Sequence, residues 1–99
     1  MSTYRFSAEL WRSPGDAGWC FVTLPHDVTD DIDERTADRR TGFGSVRVRA
    51  TVGSTTWATS VFPDSGQASF VLPVKRPVRD AEHLGVGDVV TVHLVVVHS

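Results

Sequence analysis

Between Phe70 and Val97 the chain reads FVLPVKRPVRDAEHLGVGDVVTVHLVVV, and this stretch leaves few folds open. Phe70 to Leu72 are apolar and strand-like, and Pro73 ends the run because it has no N–H to give a ladder. Pro77 suits the first turn of a helix, where its fixed φ is helical and its missing donor costs nothing. Val78, Ala81 and Leu84 recur at three-residue spacing, an apolar stripe, and Gly85 stands where a left-handed C-cap is expected. Gly87-Asp88 turns the chain into Val89 to Val97, its most strongly β-favouring run. Strand, crossing, short helix, turn and strand follow one another with no room for a longer helix.

The rest of the chain supplies more strands. Tyr4 to Trp11 alternates, with Tyr4, Phe6, Ala8 and Leu10 on one face and Arg5, Ser7, Glu9 and Trp11 on the other. Ser13-Pro14-Gly15-Asp16 is turn chemistry, Trp19 to Leu24 forms a second strand hairpinned to the first, and Pro25 closes it. The acidic stretch Asp27 to Arg40 reads as a short helix capped by Asp27 or Thr29. Its acids lie in the first turns and Arg35, Arg39 and Arg40 at the far end, as the helix dipole favours. Its apolar stripe is narrow (Val28, Ile32, Ala37), and fraying is expected near Thr36.

Phe43-Gly44 opens a third strand, Ser45 to Val52, and Gly53-Ser54 fits a two-residue type II′ hairpin turn into a fourth, Thr55 to Phe62. That loop length sets Val52 opposite Thr55, Ala50 opposite Trp57, Val48 opposite Thr59 and Val46 opposite Val61, all on the inward face. Pro63-Asp64-Ser65-Gly66 turns into a fifth strand, Gln67 to Leu72. Six short strands and one or two small helices, mostly hairpin-connected, predict a mainly β fold. The expected form is a small closed or nearly closed six-stranded barrel, a single domain over residues 1–99. Closure also removes the edges that an open sheet of this size would expose.

Composition narrows the function classes. At 40% hydrophobic and 22% charged the chain is ordinary globular material. A net charge of −2 and a pI near 6.0 argue against non-specific coating of nucleic acid. The single cysteine, Cys20, cannot close an internal disulfide, and no signal or spanning segment is read, so a soluble cytoplasmic protein is expected.

Phe6, Leu10-Trp11, Trp19, Val22 to Pro25, Phe43-Gly44-Ser45-Val46, Val48, Trp57, Thr59-Ser60 and Phe62-Pro63 form a recognisable series. Leu72-Pro73-Val74-Lys75, Val78-Arg79 and Gly87-Asp88-Val89-Val90 complete it. In this order they resemble the bacterial family known as domain of unknown function nineteen-oh-five, across nearly the whole chain. The resemblance implies a small β-barrel and no particular activity. A looser likeness is to the AbrB and MazE swapped-hairpin barrels, carried by Leu72-Pro73, Arg79, Leu84-Gly85 and Gly87-Asp88. It implies an intertwined DNA-binding dimer. Here the gap from Pro73 to Arg79 is longer than in that pattern, and the gap from Gly85 to Gly87 shorter.

Catalytic signals are weak. His26, His83, His93 and His98 lack metal-ligand spacing and read as surface or rim histidines. Cys20 has no cationic neighbour in sequence to activate it and reads as a small buried hydrophobe. Ser45 and Ser60 lack a nucleophile elbow, and Gly42, Gly44 and Gly53 make no phosphate loop. No catalytic residue, metal or cofactor is therefore expected.

Binding is the stronger expectation. Arg47 and Arg49 share the outward face of the third strand, and Lys75, Arg76 and Arg79 gather at the crossing into the last helix. Together they would make a cationic patch suited to phosphate or carboxylate. In the plainer reading, Arg47 and Arg49 pair across strands with acids, while Arg79 bonds Asp88 or strand carbonyls. Trp57 belongs to the core row, while Trp11 and Trp19 flank the first hairpin. There they either line a barrel mouth that admits a ligand or plug the barrel end.

The leading expectation is a non-enzymatic binding module for a protein partner or an anionic small ligand. Its candidate binding residues are Arg47, Arg49, Lys75, Arg76, Arg79, Trp11 and Trp19. An AbrB-like dimeric DNA-binding regulator and a small-molecule-binding or hydrolytic barrel are the alternatives. DNA ranks behind a protein or small anion, no membrane partner is expected, and monomer and dimer both stay open.

Overall fold

Val52, Ala50, Val48 and Val46 do face Thr55, Trp57, Thr59 and Val61, in the register that a two-residue loop dictates. The computed structural model describes residues 2–15, 18–37 and 44–97. Its elements are β1 (Ser2–Arg12), β2 (Cys20–Thr23), α1 (His26–Thr36), β3 (Val46–Val52), β4 (Thr55–Asp64), β5 (Ser69–Pro73), α2 (Arg76–Ala81) and β6 (Val89–Val96). The six strands close into a barrel in the order β1-β2-β5-β4-β3-β6, every neighbouring pair antiparallel. Arg39, Arg40, Phe43 and His98 lie outside the described residues, as does Asp16 of the first turn.

Inward rows from all strands fill the barrel with Phe6, Leu10, Val22, Val48, Ala50, Val61, Phe70, Leu72, Val92 and Leu94, all buried. Trp57 keeps its place on the inward face but is only half-buried, packed against the core instead of within it. Its indole Nε1 is enclosed without a hydrogen-bond partner. β4 runs two residues further than expected, through Pro63 to Asp64, and Ala68 supplies the left-handed residue (φ 53°) of the following turn in place of Gly66.

Both helices differ from expectation in how they end. α1 starts at His26 behind Pro25, and neither Asp27 nor Thr29 caps it. Thr29 instead accepts the Phe70 N–H at 3.2 Å, so its hydroxyl joins helix to β5. The inward stripe is half-buried Val28 with buried Ile32 and Thr36, at four-residue spacing, while Ala37 is exposed. Thr36 is buried with its polar group satisfied, its hydroxyl donating to the Ile32 carbonyl at 2.7 Å. α2 ends at Ala81, which is exposed, one turn before the predicted Gly85 cap. His83 takes the left-handed position (φ 54°), and Leu84 N–H reaches the Arg79 carbonyl at 2.8 Å while His83 N–H reaches Asp80 at 3.4 Å. These two bonds form a Schellman cap built on histidine. Gly85 is left for the next turn, where its N–H is accepted by Asp88 Oδ2 at 2.8 Å.

Further side-chain ties hold the helices to the barrel. Glu82 accepts hydrogen bonds from Thr55 Oγ1 at 2.6 Å and Ser54 Oγ at 3.4 Å, so the end of α2 rests on the β3–β4 turn. Tyr4 on β1 donates its hydroxyl to Asp31 Oδ2 at 2.6 Å, and Arg35 donates to the same oxygen at 3.0 Å. The Tyr4 hydrogen bond, helped by Arg35, holds Asp31 below its ordinary carboxylate value. Burial, then the bond to Asp31, pushes Tyr4 above the usual phenol value.

Gly53 has φ 58° while Ser54 stays on the ordinary side, which defines the II′ turn, and any Cβ on Gly53 would run into the Glu82 carboxylate. Gly53→Val should therefore cost about 1–3 kcal/mol, a fall in Tm of roughly 5–20 °C for a domain this size. An unchanged melting curve would rule the turn out. The Tyr4–Asp31 tie predicts two pH limbs. The Asp31 contribution is complete above its unfolded value near 3.8 and disappears as pH falls through the lower folded value. The Tyr4 contribution is complete below 10.0 and disappears as pH rises through its higher folded value. Urea denaturation of Tyr4→Phe across pH should show both limbs flattened. Curves parallel to the parent protein would show that the tie does not matter.

Candidate functional site

Four of the seven candidate residues meet at one place. Where β2 begins and β5 passes into α2, Val74 N–H bonds the Cys20 carbonyl at 2.9 Å, extending the β2–β5 ladder past Pro73. Trp19 lies just before this ladder, and its backbone carbonyl is held by Ser13 N–H at 2.8 Å. The residue is 53% exposed. Trp19 lines a cleft of about 220 Å³ with Gly18, Cys20, Pro73, Val74, Lys75, Arg76 and Arg79.

The three cations are held differently. Arg79 is half-buried, and its Nε donates to the Val74 carbonyl at 3.1 Å. Its structural role is therefore with a carbonyl beyond a strand end and not with Asp88. Arg76 approaches Asp80 only at 3.8 Å, with both side chains largely in solvent. Such a pair contributes at most about 0.5 kcal/mol and leaves the guanidinium able to take another anion. Lys75 is exposed at the helix N-cap. Cys20, behind them, is buried in the core, its thiol 3.8 Å from the Gly18 carbonyl. That is the small buried hydrophobe read from sequence.

Trp11 is not at a barrel mouth. It faces outward from β1, tilted against Phe21 at 5.2 Å between ring centroids, and its Nε1 donates to Thr23 Oγ1 at 2.8 Å. Thr23 in turn donates to Gln67 at 3.0 Å. Neither Trp11, on the outer wall, nor Trp19, half in solvent, plugs the barrel end. Leu10, directly before Trp11, takes the inward position instead.

Arg47 and Arg49 lie on the outer face of β3, with β4 between them and β5, and they do not line the Trp19 cleft. The residues across from them are Ser60 for Arg47, and Ala58 and Val95 for Arg49, so the expected cross-strand acids are not there. The five basic candidates thus divide between two faces. His93, also outward on β6, pairs in register with Arg5 and Thr51. Among the described residues no group of three His, Cys, Asp or Glu side chains is arranged to hold a metal ion.

Sequence reasoning missed the neighbour of the Trp19 cleft, an open groove of about 460 Å³. Phe21, Phe62, Pro63, Val71 and Pro73 line its apolar part, and Trp19 and Pro73 belong to both hollows. Phe62 is 40% exposed there. Its signal was available: if Val61 points inward, period two turns Phe62 outward.

The chain matches the family described as Domain of unknown function (DUF1905) over residues 6–94. It belongs to that family. No curated protein matches it. This DUF1905 member is a closed six-stranded antiparallel barrel with two short helices, and no function is assigned to the family.

Both wall tryptophans are exposed enough to test separately. Trp11→Ala should cost about 2 kcal/mol through the lost indole hydrogen bond and ring contact. Trp19→Ala should stay within about 0.5 kcal/mol, as a surface change. Equal losses in urea unfolding would mean that Trp19 is structural and not free for a ligand.

Proposed function

We propose that this protein is a non-enzymatic binding module, and that the group it binds is an anion carried by a partner protein or small ligand. The observation that carries the reading is the grouping of Lys75, Arg76 and Arg79 around the exposed Trp19 indole in one cleft. Three cations there stand out on a chain of net charge −2. Guanidinium groups offer paired donors in a plane that fits carboxylate and phosphate oxygens, and the indole gives a flat surface beside them. Among the described residues that line it, the cleft holds no carboxylate or imidazole to move a proton, which favours binding over hydrolysis.

A second reading, a DNA-binding regulator, draws on the outward Arg47 and Arg49, whose cross-strand neighbours leave their charge uncompensated. It would not need the intertwined dimer of the swapped-hairpin barrels, because six strands of one chain already close the barrel.

Titration of the labelled protein with inorganic phosphate and with succinate, followed by amide and indole NMR shifts, tests the lead. Shifts should centre on Trp19, Lys75 and Arg76, saturate in the millimolar range or below, and vanish in Lys75→Ala/Arg76→Ala. Short duplex DNA in fluorescence anisotropy separates the readings. Salt-sensitive binding lost in Arg47→Ala/Arg49→Ala, with the Trp19 cleft silent, would replace the anion module by the regulator.

A further inference from the structure

The cationic cleft and the apolar groove are not independent hollows. Trp19 and Pro73 line both, so the two hollows adjoin. Along this line the surface changes character in order. Lys75, Arg76 and Arg79 stand at the α2 end, Trp19 and Phe62 offer exposed rings in the middle, and Asp64 stands at the far end. We propose that this continuous track binds an extended segment of a partner protein in which bulky apolar residues are followed on one side only by acidic ones. This deepens the anion-binding reading and rests on it.

Three features favour a protein segment over a lone small anion. The groove of about 460 Å³ adjoins the cleft of about 220 Å³ and gives apolar contact that a phosphate or simple dicarboxylate cannot use. The charge order matches an acidic end seated at Lys75 and Arg76, while Asp64 repels acid at the other end, which sets the direction of the bound chain. The exposed rings are also isolated from the core. Phe62 and Trp19 occupy outward positions where a polar residue would serve solubility, and aromatic side chains of this kind anchor interfaces. Recognition at the groove comes from side chains, because where β4 and β5 line it, from Phe62 opposite Val71 to Asp64 opposite Ser69, their ladder is already paired.

The test uses the full chain, labelled for NMR, and three blocked peptides of equal length. One carries two leucines beside two glutamates, one replaces the leucines by alanine, and one replaces the glutamates by glutamine. Inorganic phosphate serves as the bare anion. The leucine–glutamate peptide should bind about tenfold tighter than either relative, a gain of ~1.4 kcal/mol, and should shift Trp19, Phe62 and Arg76 together. Phe62→Ala should reduce its affinity to that of the alanine peptide, and Lys75→Ala/Arg76→Ala to that of the glutamine peptide. Because both sites are exposed, the melting temperature of each variant checks that folding is intact. If the alanine peptide binds as well as the leucine one and Phe62→Ala changes nothing, the segment proposal falls while the anion cleft stands. If neither phosphate nor any acidic peptide perturbs the cleft, both fall. Concentration-dependent self-association lost in Phe62→Ala would put a second copy of the chain on the groove and overturn the proposal in its favour.

Discussion

The pairing of the first strand with the last is the constraint on which the structure depends. β1 and β6 meet in unbroken register from Ser2 opposite Val96 to Glu9 opposite Val89, and this ladder closes the barrel. Without it both strands would be open edges. The inward Phe6, Val90, Val92 and Leu94 would also lose the wall that hides them. The contacts are almost as far apart in sequence as the chain allows, so loop-closure entropy is met before the ladder returns anything. Local features prepare for it. The Gly53 hairpin forms β3–β4 with two loop residues, and the Gly87-Asp88 turn delivers β6 beside Leu10 through bonds of 2.8 and 2.9 Å.

Closure also decides where function can lie. A barrel this narrow is filled by its own side chains, and its backbone donors and acceptors are largely committed to neighbours. What is left for recognition is the outer wall and the loops at its ends. The wall is not uniform. Across β1, β6 and β3 the outward rows are mainly polar, with Arg5, His93, Thr51, Arg47 and Arg49, though Trp11, Val89 and Val95 also face outward. Across β2, β5 and β4 they carry Phe21, Pro73, Val71 and Phe62.

Most of the architecture was legible because strand period and turn chemistry are local. The II′ turn at Gly53 set the β3–β4 register to the residue, and Pro77 marked the start of α2. Helix ends were less legible, since backbone bonds choose them. Nothing in the sequence around His83 says that it, and not Gly85, adopts the left-handed cap, and Thr29 left its expected capping role for the Phe70 amide 41 residues away. The candidate site was legible in part. Lys75, Arg76 and Arg79 are neighbours in sequence, but their grouping with Trp19 requires the β2–β5 pairing, a contact between strands separated by two others in the chain. The same topology sends Arg47 and Arg49 elsewhere. Trp11 reads from sequence as lining a mouth or plugging the barrel end, because its outward face is legible there while the barrel's outside is not distinguished from its rim.

The ladder between β1 and β6 has a mechanical side. Being antiparallel, it places Ser2 and Val96 together at one end, with the remaining pairs behind them in single file. Tension between the two ends of the chain would load only the first pair at any moment and open the ladder as a zipper. A parallel pairing would instead share the load along its length. A barrel with a well-packed interior can therefore be soft along one direction, and a machine that pulls on either tail would begin at the seam that holds it shut.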